Sequence, residues 1–230
     1  METFELNSML EHPAILLLGK RRVGKSFACR DIVYNEFYKN RKYKFFILIS
    51  PTCFLNDDYD FIPNEYKFEN MSSLLLNKIF QRQDALKKKY KNKGDFNMLI
   101  ILDDVVGLAN QEQSKLLANV LLAGRHRNIS IILSLQYLFT KEMSKSCRDC
   151  LDYAFIFPQS NTENIKAICQ QWLGGSREKE KDGYKIIKEI PDISKHQVLV
   201  IDNTKISSEN DNLYKYIAEE IPKTAKIKKV

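Results

Sequence analysis

Short apolar runs alternate with stretches of helical period along this chain. AILLL at 14–18, FFILIS at 45–50, MLIIL at 98–102, ISIILSLQ at 129–136 and LDYAFIF at 151–157 are each shorter than a stable helix and bounded by charge, Gly or Pro, which predicts strands buried on both faces. A helix is predicted over 24–40, carrying Phe27, Ile32, Val33 and Phe37, and another over 72–90 through Leu75, Ile79, Phe80 and Leu86. Further helical stretches cover 111–122, 139–150 and 161–173. Residues 51–70 have no period and predict a loop at a substrate-facing edge, with one short strand near 66–68. Beyond Gly174 and Gly175, SREKEKDG predicts a mobile loop, and YKIIKEI and QVLVIDN predict two strands in a hairpin. A last helix is predicted over 209–221, stopped by Pro222, with the tail KTAKIKKV exposed.

Strands alternating with helices predict an α/β fold with a mostly parallel central sheet flanked by helices, and a ligand crevice beyond the strands' carboxyl ends. Residues 1–230 read as one domain, with a core over 14–173 and an extension of edge strands and a helix over 174–230. No apolar run approaches the roughly 18–20 residues needed to cross a bilayer. The opening METFELNSMLEHP carries acids where a secretion signal carries bases. A soluble, unexported protein is the expectation. Five cysteines without regular spacing fit reduced thiols, and the Cys147–Cys150 pair lacks a second pair at zinc spacing. Lys and Arg number 36 against 29 acids, for a net charge of +7 and a pI of about 9.0. That balance suits a polyanionic partner, with 41–44 and 87–93 as basic stretches able to grip phosphates nonspecifically.

The chemistry is concentrated at the ends of three strands. After Leu18 the chain reads GKRRVGKS, in which Gly19, Gly24, Lys25 and Ser26 fit the phosphate-binding spacing G-x-x-x-x-G-K-[ST]. Backbone N–H groups of such a loop wrap a β-phosphate, the Lys neutralises β/γ oxygens, and the hydroxyl holds Mg²⁺. The predicted cradle therefore comprises Gly19, Lys20, Arg21, Arg22, Val23, Gly24, Lys25, Ser26 and Phe27, with the N-terminus of the next helix aimed at the same phosphates. Asp103 and Asp104 end an unbroken apolar run, as a Walker B strand does. Alternation at a strand end assigns Asp103 to the metal and Asp104 to activating water. Gln136, a polar residue closing a buried strand, is a candidate γ-phosphate sensor. Arg125 and Arg127 lie in the turn before that strand, where a permanent charge and forked donors suit a finger supplied to a neighbouring subunit.

GKRRVGKS, LIILDDV and GRHRNISIILSLQ, in that order, resemble the FtsK-HerA superfamily, and within it the genome-packaging ATPases of nucleocytoplasmic large DNA viruses and virophages. The resemblance covers about 14–157. It implies a P-loop, RecA-like fold that binds ATP and Mg²⁺ through Lys25, Ser26 and Asp103. Asp104 would polarise water, Gln136 would sense the γ-phosphate and Arg125 would be the trans finger. It further implies a homo-oligomeric ring, hexameric or pentameric, that threads double-stranded DNA into a capsid, with capsid or vertex proteins as further partners. The implied location is the viral factory in the host cytoplasm, and the virion. Many relatives outside the viral branch carry Glu where Asp104 stands.

Three other readings compete on the sequence, the first of them defeated by the order of its motifs. Asp104-Val105-Val106-Gly107 and Asn92-Lys93-Gly94-Asp95 match GTPase tetrads, but in the reverse of the GTPase order. A nucleoside or other small-molecule kinase would use 176–183 as a lid. A scaffold that binds nucleotide to dock on a capsid without hydrolysis would not need the acid pair.

Overall fold

A computed structural model describes residues 1–55, 57–91, 95–105, 111–138, 143–173, 177–205 and 211–228. Eight strands form one mixed sheet: β1 (Ala14–Leu18), β2 (Phe45–Ile49), β3 (Lys67–Phe68), β4 (Met98–Asp103), β5 (Ile129–Leu135), β6 (Tyr153–Ile156), β7 (Gln197–Asp202) and β8 (Leu213–Ile217). Their spatial order is β3-β2-β4-β5-β1-β6-β7-β8. From β3 to β6 every pairing is parallel, whereas β7 and β8 add antiparallel at the edge. The sheet order decides the site: β5 separates β1 from β4, so Gln136 emerges between the phosphate-loop strand and the acid-pair strand.

Alternate residues on each strand feed two cores, as pleating requires. Leu16, Leu18, Ile100 and Leu102 pack on one face with α2 (Ser73–Tyr90), α3 (Gln111–Ala123), α4 (Lys145–Asp149), α5 (Thr162–Trp172) and α6 (Arg177–Glu189). Ile15, Leu17, Leu99 and Ile101 pack on the other with α1 (Lys25–Asp31), the loop around Tyr59 to Ile62, and the two chain ends.

The predicted helix over 24–40 forms, but only Lys25–Asp31 is α-helical; Ile32–Asn40 continues as a π-helix closed by Arg41 N–H to Glu36 O at 2.8 Å. Arg41 also caps the end of this segment through its side chain, bonding Glu36 at 2.6 Å and the carbonyls of Met9 and Leu10. Of the basic stretches, Lys44 pairs with Asp95 at 2.7 Å and Lys87 donates to the His126 carbonyl at 2.6 Å.

Three expectations for the C-terminal quarter are corrected. The segments read as a mobile loop and a strand, from Arg177 to Glu189, are the single helix α6. Ile187 is buried in the core beside α5, and a Cβ on Gly183 would lie 2.8 Å from Leu173, so this glycine lets the two helices close up. The segment read as a last helix holds strand β8, whose partner is β7. Its Tyr216 hydroxyl and the Glu219 N–H both donate to the buried carboxylate of Asp31 on α1. The tail is not exposed throughout: Ala225 and Ile227 are buried, and Ile227 N–H bonds Phe61 O at 2.8 Å. Residues 139–142 of the predicted fourth helix, 174–176 and 209–210 lie outside the described residues, as do 92–94 and 106–107 of the GTPase-like tetrads.

Candidate active site

Local backbone demands shape the loop after β1. Gly24 adopts φ +94°, a region L side chains rarely enter, and Gly19 lies so close to its neighbours that a Cβ would sit 2.7 Å from Phe157 Cβ and 2.9 Å from Val23 Cγ2. Val23 is buried beneath the loop while Arg21 and Arg22 are exposed, Arg22 at φ +62°. Lys25 folds back over the loop, donating to Gly19 O at 2.6 Å and Lys20 O at 2.9 Å. Its amine is held below the ordinary lysine range chiefly by burial, against the opposing pull of the Asp104 and Asp103 carboxylates.

Those carboxylates stand across the same cleft, a space of about 590 Å³ lined by Arg21, Arg22, Lys25, Ser26, Asp103 and Asp104 among others. Burial pushes the Asp103 carboxyl above its usual range, and Asp104 pushes the same way; the Ser134 and Tyr59 hydroxyls and Lys25 oppose them. Ser134 is the register partner of Asp103 on β5. Tyr59 reaches in from the aperiodic loop and donates to Asp103 Oδ2 at 3.0 Å. Asp104 turns at φ +51°, which breaks strand alternation and keeps its carboxylate near the cleft. Gln136 Nε2 then donates to Asp104 Oδ1 at 3.4 Å.

A buried amide pair fixes these strand ends. Gln159 Nε2 donates to Leu18 O at 3.0 Å, and Asn164 on α5 donates to Gln159 Oε1 at 2.7 Å while accepting the Leu138 N–H at 3.0 Å. The exits of β1 and β5 are thereby tied to one helix. Buried amides with all these partners rigidify more than isolated bonds do.

Lys25, Ser26, Asp103, Asp104 and Gln136 thus converge, as the sequence predicts. Phe27 points along α1 to the cleft's rim, its ring stacked on His196 at 4.1 Å. Arg125 does not join them. It sits in the 3-10 turn Arg125–Arg127 before β5, a strand of seven residues that spans about 23 Å to its Gln136 end. There it lines a small cavity with His12, Asp149, Cys150 and Asp152. Arg127 is engaged within its own subunit, paired with Asp84 at 2.9 Å and lying over the Phe80 ring. Tyr59, Ser134, Gln159 and Asn164 were not legible as site residues; of these only Ser134, a polar residue inside a buried strand, carries a local signal.

Hard oxygen donors, the Ser26 hydroxyl and the Asp103 carboxylate, share the cleft with a lysine and a carboxylate–amide pair. That donor set suits Mg²⁺. The arrangement can cradle a polyphosphate and hold a proton acceptor opposite it.

The family model described as Poxvirus A32 protein matches residues 1–226. Among curated proteins, uncharacterized protein L437 of Acanthamoeba polyphaga mimivirus is 27% identical over 179 residues, covering 74% of this chain and 61% of that protein. Uncharacterized protein 088R of Invertebrate iridescent virus 3 is 29% identical over 164 residues, covering 70% and 59%. The chain therefore spans about 60% of the length of the curated relatives it matches. Among solved structures, the genome packaging NTPase B204 of Sulfolobus turreted icosahedral virus 2, in complex with AMPPCP, superposes with a TM-score of 0.62 at 15% identity, covering 93% of this chain and all of that one. The pCW3 conjugation coupling protein TcpA, with ATPγS, gives 0.57 at 13% identity over 91% of this chain and 61% of that one. At these identities the likeness concerns the fold alone.

Proposed function

The chain belongs to the Poxvirus A32 protein family, and from that premise we propose that it is an ATP-hydrolysing subunit of a ring motor that moves double-stranded DNA into a viral capsid. The observation that carries the reading is the bond from Gln136 to Asp104, a carboxylate that lines the same cleft as Lys25. In this reading a sensor, a base and a phosphate-binding amine, brought together from three strand ends, serve the cleavage of one terminal phosphate. B204 of Sulfolobus turreted icosahedral virus, a DNA-packaging ATPase of the same fold, supports the choice of polymer.

In this reading the loop N–H groups hold the β-phosphate, and Lys25 exchanges its carbonyl partners for β/γ oxygens. Ser26 and Asp103 would hold Mg²⁺, which would supply charge neutralisation to the phosphates. Asp104 accepts the proton of the attacking water. Gln136, bonded to Asp104 before the reaction, hydrogen-bonds the γ-phosphate or the attacking water and reports the loss of that phosphate on hydrolysis. Arg125, about a sheet's height from its own cleft, serves the cleft of an adjacent copy in a homo-oligomeric ring. The site of action would be the viral factory and the assembling virion.

Turnover of ATP measured with and without duplex DNA, across protein concentration, tests the proposal. A ring motor with shared sites turns over faster per subunit as it assembles and faster again with DNA. Activity independent of both, raised instead by a nucleoside, would assign the site to a kinase. From Arg177 the segment a kinase would use as a lid is part of helix α6, whose Ile187 is anchored in the core on the sheet face opposite α1.

A further inference from the structure

Gln136 stands on a main chain that is held from both sides. Upstream, the Leu135 carbonyl accepts from the N–H of Gly19, the first residue of the phosphate loop, at 3.0 Å. Downstream, Asn164 brackets the next two peptides: its Oδ1 accepts from Leu138 N–H at 3.0 Å, and its Nδ2 faces Gln136 O at 3.5 Å. Resting on the sensor reading above, we propose that Asn164 is a positioning residue for hydrolysis: with Gln159 it ties the main chain that carries Gln136 to the strand exit that carries the phosphate loop.

The chemistry of the two amides leaves them one arrangement. Gln159 gives both Nε2 donors to carbonyls, Leu18 O at 3.0 Å and Phe157 O at 2.9 Å, which turns its Oε1 towards Asn164. Asn164 meets that oxygen with Nδ2 at 2.7 Å, and its second N–H is left for Gln136 O. Every donor of both amides is used, at residues only 9% and 4% exposed. Burying amides costs free energy that apolar side chains would not, so filling space does not account for the pair. Asn164 is itself fixed in the first turn of α5, where Asn161 Oδ1 accepts its N–H and that of Glu163.

Aim matters here more than packing. Tyr137, between the two peptides that Asn164 holds, is 52% exposed, so its side chain does little to fix the backbone. Gln136 Nε2 lies 3.4 Å from Asp104 Oδ1, at the long end of hydrogen-bond range. A shift of about 1 Å in the Gln136 main chain would break this contact and misplace the sensor, a displacement that can cost about 10²-fold in rate. The β1 exit keeps its bonds to Gln159 and Leu135 without Asn164, so the loop that would bind phosphates stays in place. Turnover and binding therefore separate.

The test is steady-state ATP turnover together with calorimetric ATP binding for Asn164→Ala, Gln136→Ala and the double variant, each shown to be folded by a cooperative thermal melt. Asn164→Ala is expected to lower kcat by about 10- to 100-fold, with the Kd for ATP within about twofold of the unaltered chain. The double variant should be no slower than Gln136→Ala alone, since Asn164 acts through that side chain. Should Asn164→Ala fail to fold, Asn164→Ser, whose hydroxyl is one bond too short to reach Leu138, carries the same comparison. An unchanged kcat for the Asn164 variant beside a slow Gln136→Ala overturns the positioning role alone. So does a folded Asn164 variant whose ATP binding weakens as much as its kcat falls, or a double variant slowed by the product of the two single losses. Gln136→Ala turning over at the unaltered rate would overturn the sensor reading itself, and the positioning role with it.

Discussion

Replacing Tyr59 by Phe removes one oxygen, the donor that meets Asp103 Oδ2 at 3.0 Å, while keeping the buried ring. Burial and neighbouring Asp104 already push the Asp103 carboxyl up, and Tyr59 is one of three groups that restrain it. Tyr59's own hydroxyl is held well above the ordinary tyrosine range by burial, so it stays a donor wherever the protein is assayed. A hydrogen bond to a charged group nets about 1.5–3 kcal/mol. Losing that bond therefore lets burial and Asp104 push the Asp103 carboxyl further up, against the restraint of Ser134 and Lys25 alone, and about 1.4 kcal/mol corresponds to a tenfold change. The sign follows from the proposed role: a metal-holding Asp103 works in its ionised form, present above its pKa and lost as pH falls through it. Raising the pKa moves the acid limb of the ATPase profile to higher pH. The assay is kcat/KM for ATP from acid to mildly alkaline pH, where the acid limb reports the free enzyme. The variant should lose about tenfold on the acid limb and approach the unaltered rate above it. An acid limb in the same place, or a loss equal at every pH, would refute the argument and leave Tyr59 only a packing role.

Lys25→Ala should abolish nucleotide binding, while Asp104→Asn should bind ATP normally and turn over roughly 10²- to 10⁴-fold more slowly; calorimetry and phosphate release separate the two, and an Asp104→Asn enzyme at the unaltered rate would remove Asp104 as the base. Gly19→Ala forces a Cβ into Phe157 and Val23, and should cost about 1–3 kcal/mol of stability together with nucleotide affinity, read by denaturant melts with and without ATP.

The parts of the site that rest on local chemistry were legible in the sequence. Gly24 needs its left-handed φ and Gly19 its closeness whatever the rest of the chain does, and Asp103, Asp104 and Gln136 announce themselves by ending apolar runs. Asp104 reaches the cleft by a route alternation does not describe, through its φ of +51°. Tyr59 lies 44 residues from Asp103 in sequence, in a segment with no period, so nothing local marks it as a partner. YKIIKEI misleads because Ile186, Ile187 and Ile190 suit a strand's composition and a helix's face equally; the fit against α5 at Gly183 decides for the helix. The segment over β8 looks helical because its strand character comes from pairing with β7 and from the tie to Asp31, both long-range. Arg125 was legible as a basic turn, and its distance from the cleft is what the fold adds.

That distance makes one mixing experiment decisive for a shared site. If the site is shared as proposed, Lys25→Ala subunits lack a working cleft but keep Arg125, and Arg125→Ala subunits keep the cleft but lack the finger. Each alone should be nearly inactive in DNA-stimulated ATP turnover, and mixing them should restore a substantial part of the activity as hybrid rings form. An Arg125→Ala protein as active as the unaltered chain, or a mixture no more active than its components, would contradict hydrolysis at a site built from two copies.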